Sequence, residues 1–233
     1  MNSSKNNFQF SAIGVVHSPY REKFGIPRQP GLAAVDAVIE LLTPYASTDA
    51  VHGLEQFSHL WLTFVFHAVQ REWKPLVRPP RLGGNEKIGV FATRSTHRPN
   101  PIGLSVVELL RVDVNQGVRI HIRGADLLDG TPILDIKPYI PYADSIADAR
   151  AGYAQSSPQR LAVEWHLDAV NINIDGATKR MIADVLSLDP RPAYQHEPER
   201  IYGMHISDFN VRFRIDARAV QVLAIEPIEN ANG

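Results

Sequence analysis

Cysteine is missing from the chain. That excludes disulfides, thiolate metal sites, iron–sulfur clusters and cysteine nucleophiles, and it is compatible with a reducing compartment. Long hydrophobic runs are also missing. The most apolar segment, Leu60 to Val69, is interrupted by His67 and falls well short of the roughly 20 residues that span a bilayer. The opening Met1 to Asn7 has no apolar centre and does not read as a signal peptide. Charge of one sign is not in excess. The net charge is −1, so the surface as a whole is no general polyanion binder.

The common nucleotide and hydrolase signatures are absent: G-x-G-x-x-G, G-x-x-x-x-G-K-[ST] and G-x-S-x-G. His52, His59 and His67 lack the close spacing of H-E-x-x-H, and zinc deaminase chemistry would need cysteine ligands. No metal site is expected. His59 reads as a packed or capping histidine, and His67, at the end of an apolar strand, as a residue at a site rim.

What is present is a chain of 233 residues, 44% apolar and 21% charged, enough for a proper core. The densest polar chemistry lies in Phe91-Ala92-Thr93-Arg94-Ser95-Thr96-His97-Arg98-Pro99-Asn100-Pro101-Ile102-Gly103, with apolar runs on either side. A loop that only reverses the chain needs little beyond Gly, Pro, Asn or Asp. This one gathers donors around a proline-stiffened turn, suited to an anionic or polar ligand. The plainer alternative is a solvated loop with an Arg–carboxylate pair. From Arg71 to Arg98 there are seven basic residues and two acidic ones, a local patch that could meet a phosphate-rich partner.

Short strands with period-two patterning fill the first half: Phe8 to Val16, Val38 to Leu42, Leu60 to Phe66, Ile88 to Phe91, Ser105 to Val112, Val118 to Ile122 and Ile133 to Ile136. Leu60 to Phe66 is apolar on both faces and should be central. Turn signals at Pro30-Gly31, Gly83-Gly84-Asn85 and Asp129-Gly130 separate the strands. Many strands and little helix argue for an all-β barrel or sandwich. The looser Ala143 to Arg160 marks a boundary. Beyond it, Leu161 to Leu167, a helix over about 172–188, and strands at Ile201 to Ile206, Asn210 to Ile215 and Val220 to Ile225 make a small α+β unit. The fold class is therefore mainly β, divided into residues 1–145 and 146–233.

Four rigid, polar segments fall at strand ends: Pro27 to Gly31, Phe66-His67, Arg94 to Gly103, and Asp126 to Pro132. Together they offer the amide, carboxylate, imidazole and guanidinium groups that a nucleoside-like ligand requires.

These segments carry a resemblance. Gly25-Ile26-Pro27-Arg28-Gln29-Pro30-Gly31, Phe57-Ser58-His59-Leu60-Trp61, Arg78-Pro79-Pro80-Arg81, Gly89 to Ser95, Arg98 to Gly103 and Asp129-Gly130-Thr131-Pro132 resemble the TsaA-like family, also called TrmO or YaeB. The likeness runs in order through about the first 145 residues. Asp189-Pro190-Arg191-Pro192-Ala193-Tyr194 and Asp208 to Arg212 resemble the C-terminal domain of its full-length bacterial members.

The resemblance implies a β-barrel methyltransferase that uses S-adenosyl-L-methionine, forms a homodimer and acts in the cytoplasm. It implies N6-methylation of threonylcarbamoyladenosine at position 37 of tRNA, beside the anticodon. It places the cofactor on Pro27, Arg28, Gln29, His67, Ala68, Arg94, Leu104, Asp126, Leu127, Leu128 and Asp129. Asp129 and Asp135 are the candidate bases, although Asp135 could equally pair with Lys137. Arg78, Arg81, Arg98, Arg191, Tyr194, Asn210 and Arg212 are expected to contact RNA. A small-molecule methyltransferase of the same fold and a non-catalytic cofactor- or RNA-binding module are the alternatives. A chain ending near residue 150 is expected to keep the cofactor and lose tRNA methylation.

Overall fold

The computed structural model describes residues 7–69, 72–166, 169, 174–192, 195, 197–216 and 218–228. Alternation of apolar and polar residues turns one side of each early strand inward. The strands are β1 (Gly14–His17), β2 (Asp36–Leu41), β3 (His59–Val65), β4 (Leu76–Val77), β5 (Ile88–Gly89), β6 (Ile102–Asp113), β7 (Arg119–Arg123) and β8 (Pro132–Pro138). Six of them close into an antiparallel barrel in the order β1-β2-β7-β6-β3-β8, and β4 and β5 form a separate ribbon. Closure leaves no free edge. Val16, Ile39, Leu60, Leu62, Val107, Ile120, Ile122 and Ile133 fill the interior and are essentially inaccessible to solvent.

After the short α1 (Pro141–Asp144), the chain builds a second sheet from β9 (Ala162–Trp165), β10 (Tyr202–Ile206), β11 (Phe209–Ile215) and β12 (Ala219–Pro227). Its order is β10-β11-β12-β9, with β9 parallel to β12. The helix α2 (Gly176–Leu186) lays Ile182, Val185 and Leu186 on it. Asp175 caps this helix by accepting from the Ala177 and Thr178 amides at 2.7 and 2.9 Å.

The second core is not made by the second half alone. The connection between β1 and β2 contributes Tyr20, Ala33 and Val35, with Phe24 and Ile26 packed beside them. Phe24 stacks on Tyr202 and Phe213, each at 6.3 Å. Gly25 holds φ +91°, and a Cβ there would lie 2.3 Å from the Met204 sulfur. Only glycine tolerates both the dihedral and the approach.

Several sequence expectations shift. Phe8 to Ala12 is not in a strand, and its phenylalanines are exposed. Ile88 to Phe91 divides into β5 and a single 3₁₀ turn. The two-residue β4 was too short to show a period. β3 is paired on both sides, yet Trp61, Thr63 and Val65 are only half-buried, so one face alone is core. The helix begins at Gly176 rather than near 172; residues 172 and 173, and Leu167 of the expected strand, lie outside the described residues.

Candidate functional site

The 91–103 loop is built largely from its own side chains. Thr93 Oγ1 donates to the Val90 carbonyl at 2.8 Å and accepts from the Ser95 amide at 3.2 Å; Ser95 Oγ accepts from the His97 amide at 3.2 Å. Arg98 donates to the Thr93 carbonyl at 2.8 Å and lies over Phe91. Such hydroxyl turns fix a backbone that neither strand nor helix supports. At the loop's end, Gly103 passes against the Phe64 ring, where a Cβ would come within 2.3 Å.

This frame presents Arg94. Its Nη1 donates to Gln29 Oε1 at 2.5 Å, joining the loop to the β1–β2 connection. The partner is a neutral amide, so the interaction is not the Arg–carboxylate pair of the plainer reading. Close by, Asp126 leaves the end of β7 and accepts from Ser105 Oγ at 2.6 Å. Burial raises the Asp126 pKa to about 6, against the Ser105 hydrogen bond and the Arg94 charge, which lower it. A carboxylate titrating near neutrality beside a guanidinium marks a functional-site candidate.

The remaining expected residues fall around this cluster. Leu127 is core, and Ser18 Oγ donates to its carbonyl at 2.7 Å. Asp129 accepts from the Ser18 amide at 2.9 Å and from Arg21 at 2.5 Å. The Ala68 carbonyl accepts from Lys23, which ties the His67–Ala68 turn to the connection bearing Pro27, Arg28 and Gln29. Leu104, 56% exposed, stands on the outer face of β6. Asp135 accepts from the Ile136 amide at 2.9 Å and pairs with Lys137, away from the cluster in its hydrogen bonding. His59 is exposed, with Nδ1 2.9 Å from Ser58 Oγ and its ring edge-on to Tyr139.

The residues expected at RNA divide by environment. Arg78 is exposed. Arg81 is exposed and donates to the Ser156 carbonyl at 2.6 Å, and Arg98 is spent on its own loop. Arg191 is 12% exposed and forks onto Asp189, with both contacts at 2.8 Å, and it also reaches the Ile215 carbonyl. Arg28 donates to the Arg191 carbonyl at 3.0 Å; its burial lowers its pKa, as does nearby Arg81, against the charge of Asp189. Asn210 and Arg212 share Glu226 at 3.2 and 3.8 Å. Tyr194 and Arg71 lie outside the described residues.

Sequence reasoning missed the residues that hold the connection from the second unit. The Ala34 amide donates to Asp184 at 2.6 Å, Arg160 pairs with Asp184 at 2.5 Å and reaches the Leu32 carbonyl, and Glu22 accepts from the His205 amide at 2.8 Å. Tyr20 is buried, and its hydroxyl finds no partner among the described residues. Burial first, then the charges of Asp126 and Asp184, raise its pKa. Pairings so distant in sequence leave no local signal.

The cluster can hold a ligand bearing both charges: Arg94 suits a carboxylate, Asp126 a cation or sugar hydroxyls, and exposed Ile102 and Leu104 an apolar ring. Among the described residues no group of three or more His, Asp or Glu could hold a metal ion, and no helix is long and apolar enough to cross a membrane.

The tRNA-methyltransferase O N-terminal domain matches residues 15–145, and the TrmO C-terminal domain matches 158–228. A tRNA (adenine(37)-N6)-methyltransferase of Escherichia coli is 49% identical, over 95% of this chain and 99% of its own. A Pyrococcus abyssi protein named "Probable S-adenosyl-L-methionine-binding protein" is 38% identical, over 65% of this chain and 79% of its own. The crystal structure of TrmO from Pseudomonas aeruginosa superposes with a TM-score of 0.81 at 40% identity, covering 97% of this chain and all of that one. With both domain models matched in order across most of its length, the chain belongs to the TrmO family.

Proposed function

We propose that this protein transfers a methyl group from S-adenosyl-L-methionine to N6 of adenosine 37 in tRNA, and that the acceptor base carries the threonylcarbamoyl group. The observation that carries the reading is the Gln29–Arg94–Asp126 cluster, within the part of the chain that the tRNA-methyltransferase O N-terminal domain matches. The donor set fits the cofactor. Arg94 would grip its carboxylate, ionised Asp126 would attract its cationic centre or bind ribose, and Leu104 would line its purine. The cofactor, when bound, supplies a methyl group activated on a sulfonium.

The chain's own work is alignment. The Arg94–Gln29 bond fixes the distance between two loops, and the Lys23–Ala68 contact holds a third. The acceptor nitrogen lies beside a carbamoyl carbonyl, which makes its proton more acidic, so a modest base suffices. Asp129 is engaged by Arg21 and Ser18, and Asp135 by Lys137. Asp126, raised to a pKa of about 6 by burial and bonded only to the Ser105 hydroxyl among the described residues, is added to them as a third candidate base.

A tRNA substrate sets the enzyme in the cytoplasm. Phe91, 76% exposed, with Trp73 and Leu76, leaves further apolar surface. We assign it to a homodimer interface.

Purified full-length protein, given S-adenosyl-L-methionine and tRNA carrying threonylcarbamoyladenosine, should convert that nucleoside to its N6-methyl form by mass spectrometry. Sedimentation of the same sample should give twice the chain mass. Folded protein that binds the cofactor and leaves every tRNA nucleoside unchanged would overturn the reading.

A further inference from the structure

Strand register sets the outward charges of the barrel in rows, because residues directly opposite on adjacent strands stand side by side on one face. One row runs Glu108, Arg123, Asp36 across β6, β7 and β2. Arg123 forks onto Asp36 at 2.6 and 3.2 Å. Another runs Asp113, Arg119, Glu40. In each, a cation lies between two carboxylates. The row between these two breaks the pattern. It runs Arg111, His121, Val38, His17 across β6, β7, β2 and β1, and it holds no carboxylate. His17 borrows Glu40 from the next row at 3.0 Å. Arg111 has no carboxylate within 4 Å among the described residues.

Arg111 reaches this row through a bulge in β6 between Leu109 and Arg111. Strict alternation from Glu108 would turn residue 110 outward and residue 111 into the barrel. With the extra residue, Leu109 and Val112 both pack on the core, while Leu110 and Arg111 face His121. Bulges re-aim side chains in this way near functional sites. A cation directly opposite a second basic group is unfavourable. His121 lessens the conflict by holding its proton weakly: burial first, then Arg111, depress its pKa against the pull of Asp113 and Asp36. The row lines a surface hollow of about 370 Å³. The two carboxylates in its wall, Asp36 and Asp129, are already paired with Arg123 and Arg21.

We propose that this hollow is a phosphate-contact site for tRNA, an assignment that rests on the function proposed above. Arg111 donates to a backbone phosphate, and His121 is the second donor. The row crosses three interstrand gaps, roughly 14 Å, more than one small anion fills and enough for a stretch of sugar–phosphate backbone. The wall of the hollow also includes Asp129, the last residue of the expected cofactor segment, and Ser207 of the second unit. A strand whose base sits in the active site therefore has a path onto it.

The test is tRNA affinity of the full chain across a salt series. Arg111→Gln should weaken binding roughly five- to twentyfold at about 0.1 M salt and lower the salt slope by about one. The doubly substituted Arg111→Gln, His121→Gln chain should lose more. Arg111→Lys, which keeps the charge, should stay within about threefold, and Arg119→Gln, from a compensated row and outside the wall of the hollow, should change little. Cofactor affinity and melting temperature should not move. If the parent methylates tRNA and Arg111→Gln binds it as tightly with the same slope, the site is refuted. A changed sedimentation mass with unchanged tRNA affinity would make the face a subunit contact and refute it equally. A parent that methylates no tRNA fails the functional reading instead.

Discussion

Arg94 and Asp126 answer to different tests, because one is tuned by geometry and the other by burial. Arg94→Lys keeps the charge and loses the planar fork that reaches Gln29. Cofactor binding should weaken by roughly 1–3 kcal/mol with the melting temperature unchanged, as calorimetry and thermal unfolding would read. Unfolding of the variant would return Arg94 to a structural role. For Asp126 the sign follows from its raised pKa. The folded protein holds this proton more tightly than the unfolded chain does, so ionisation costs stability. The cost is absent below about pH 4 and complete somewhat above pH 6. Asp126→Asn should therefore be more stable than the parent at pH 7.5 by about 1–3 kcal/mol, and about equal to it at pH 4. Urea unfolding at the two pH values checks this; an equal difference at both would dismiss the burial account. Arg94 was legible as a donor in a polar turn. The Asp126 shift was not, since its cause is burial, which only the folded chain creates.

The β1–β2 connection carries Gln29 at its middle and is fastened along its length. Gly25 shows how tightly. Gly25→Ala places a Cβ against Met204 and strains a positive φ, so stability should fall by roughly 1–3 kcal/mol. Cofactor affinity should fall with it, because Gln29 lies four residues on. Calorimetry showing full affinity in a destabilised variant would separate the two effects. Most strands were readable from alternation, because one face of each meets a core. The β6 bulge was not. Leu109-Leu110-Arg111 fits either register, and only the pairing with β7 decides which side chain turns out. The connection itself shows in the sequence only as a turn-rich segment with a ligand motif. Tyr20, Phe24, Ile26 and Val35 have no common period, so their burial was invisible.

For the whole molecule, we propose two units whose division is not one cut in the chain. A protein ending near residue 150 would expose Tyr20, Ala33 and Val35 and release the Asp184, Arg160 and His205 contacts. The expectation of retained cofactor binding is accordingly reversed: the truncated chain should lose affinity for S-adenosyl-L-methionine at least tenfold as well as tRNA methylation, and titration calorimetry would show it. Full cofactor affinity in the shortened protein would mean that the barrel holds its own loop. The half-buried Asp189–Arg191 fork fits the same picture, with the second unit using charge for cohesion before any is offered to RNA.

The shared core also bears on synthesis. Tyr20, Phe24 and Val35 leave the ribosome early, but their partners Tyr202, Met204 and Phe213 follow about 180 residues later, a delay of roughly 10–40 s at ordinary elongation rates. During that interval the barrel strands can pair while an apolar ribbon between the first two hangs unfilled. Nascent chains of this protein should be held by chaperones through that ribbon, and the last strands to emerge release them.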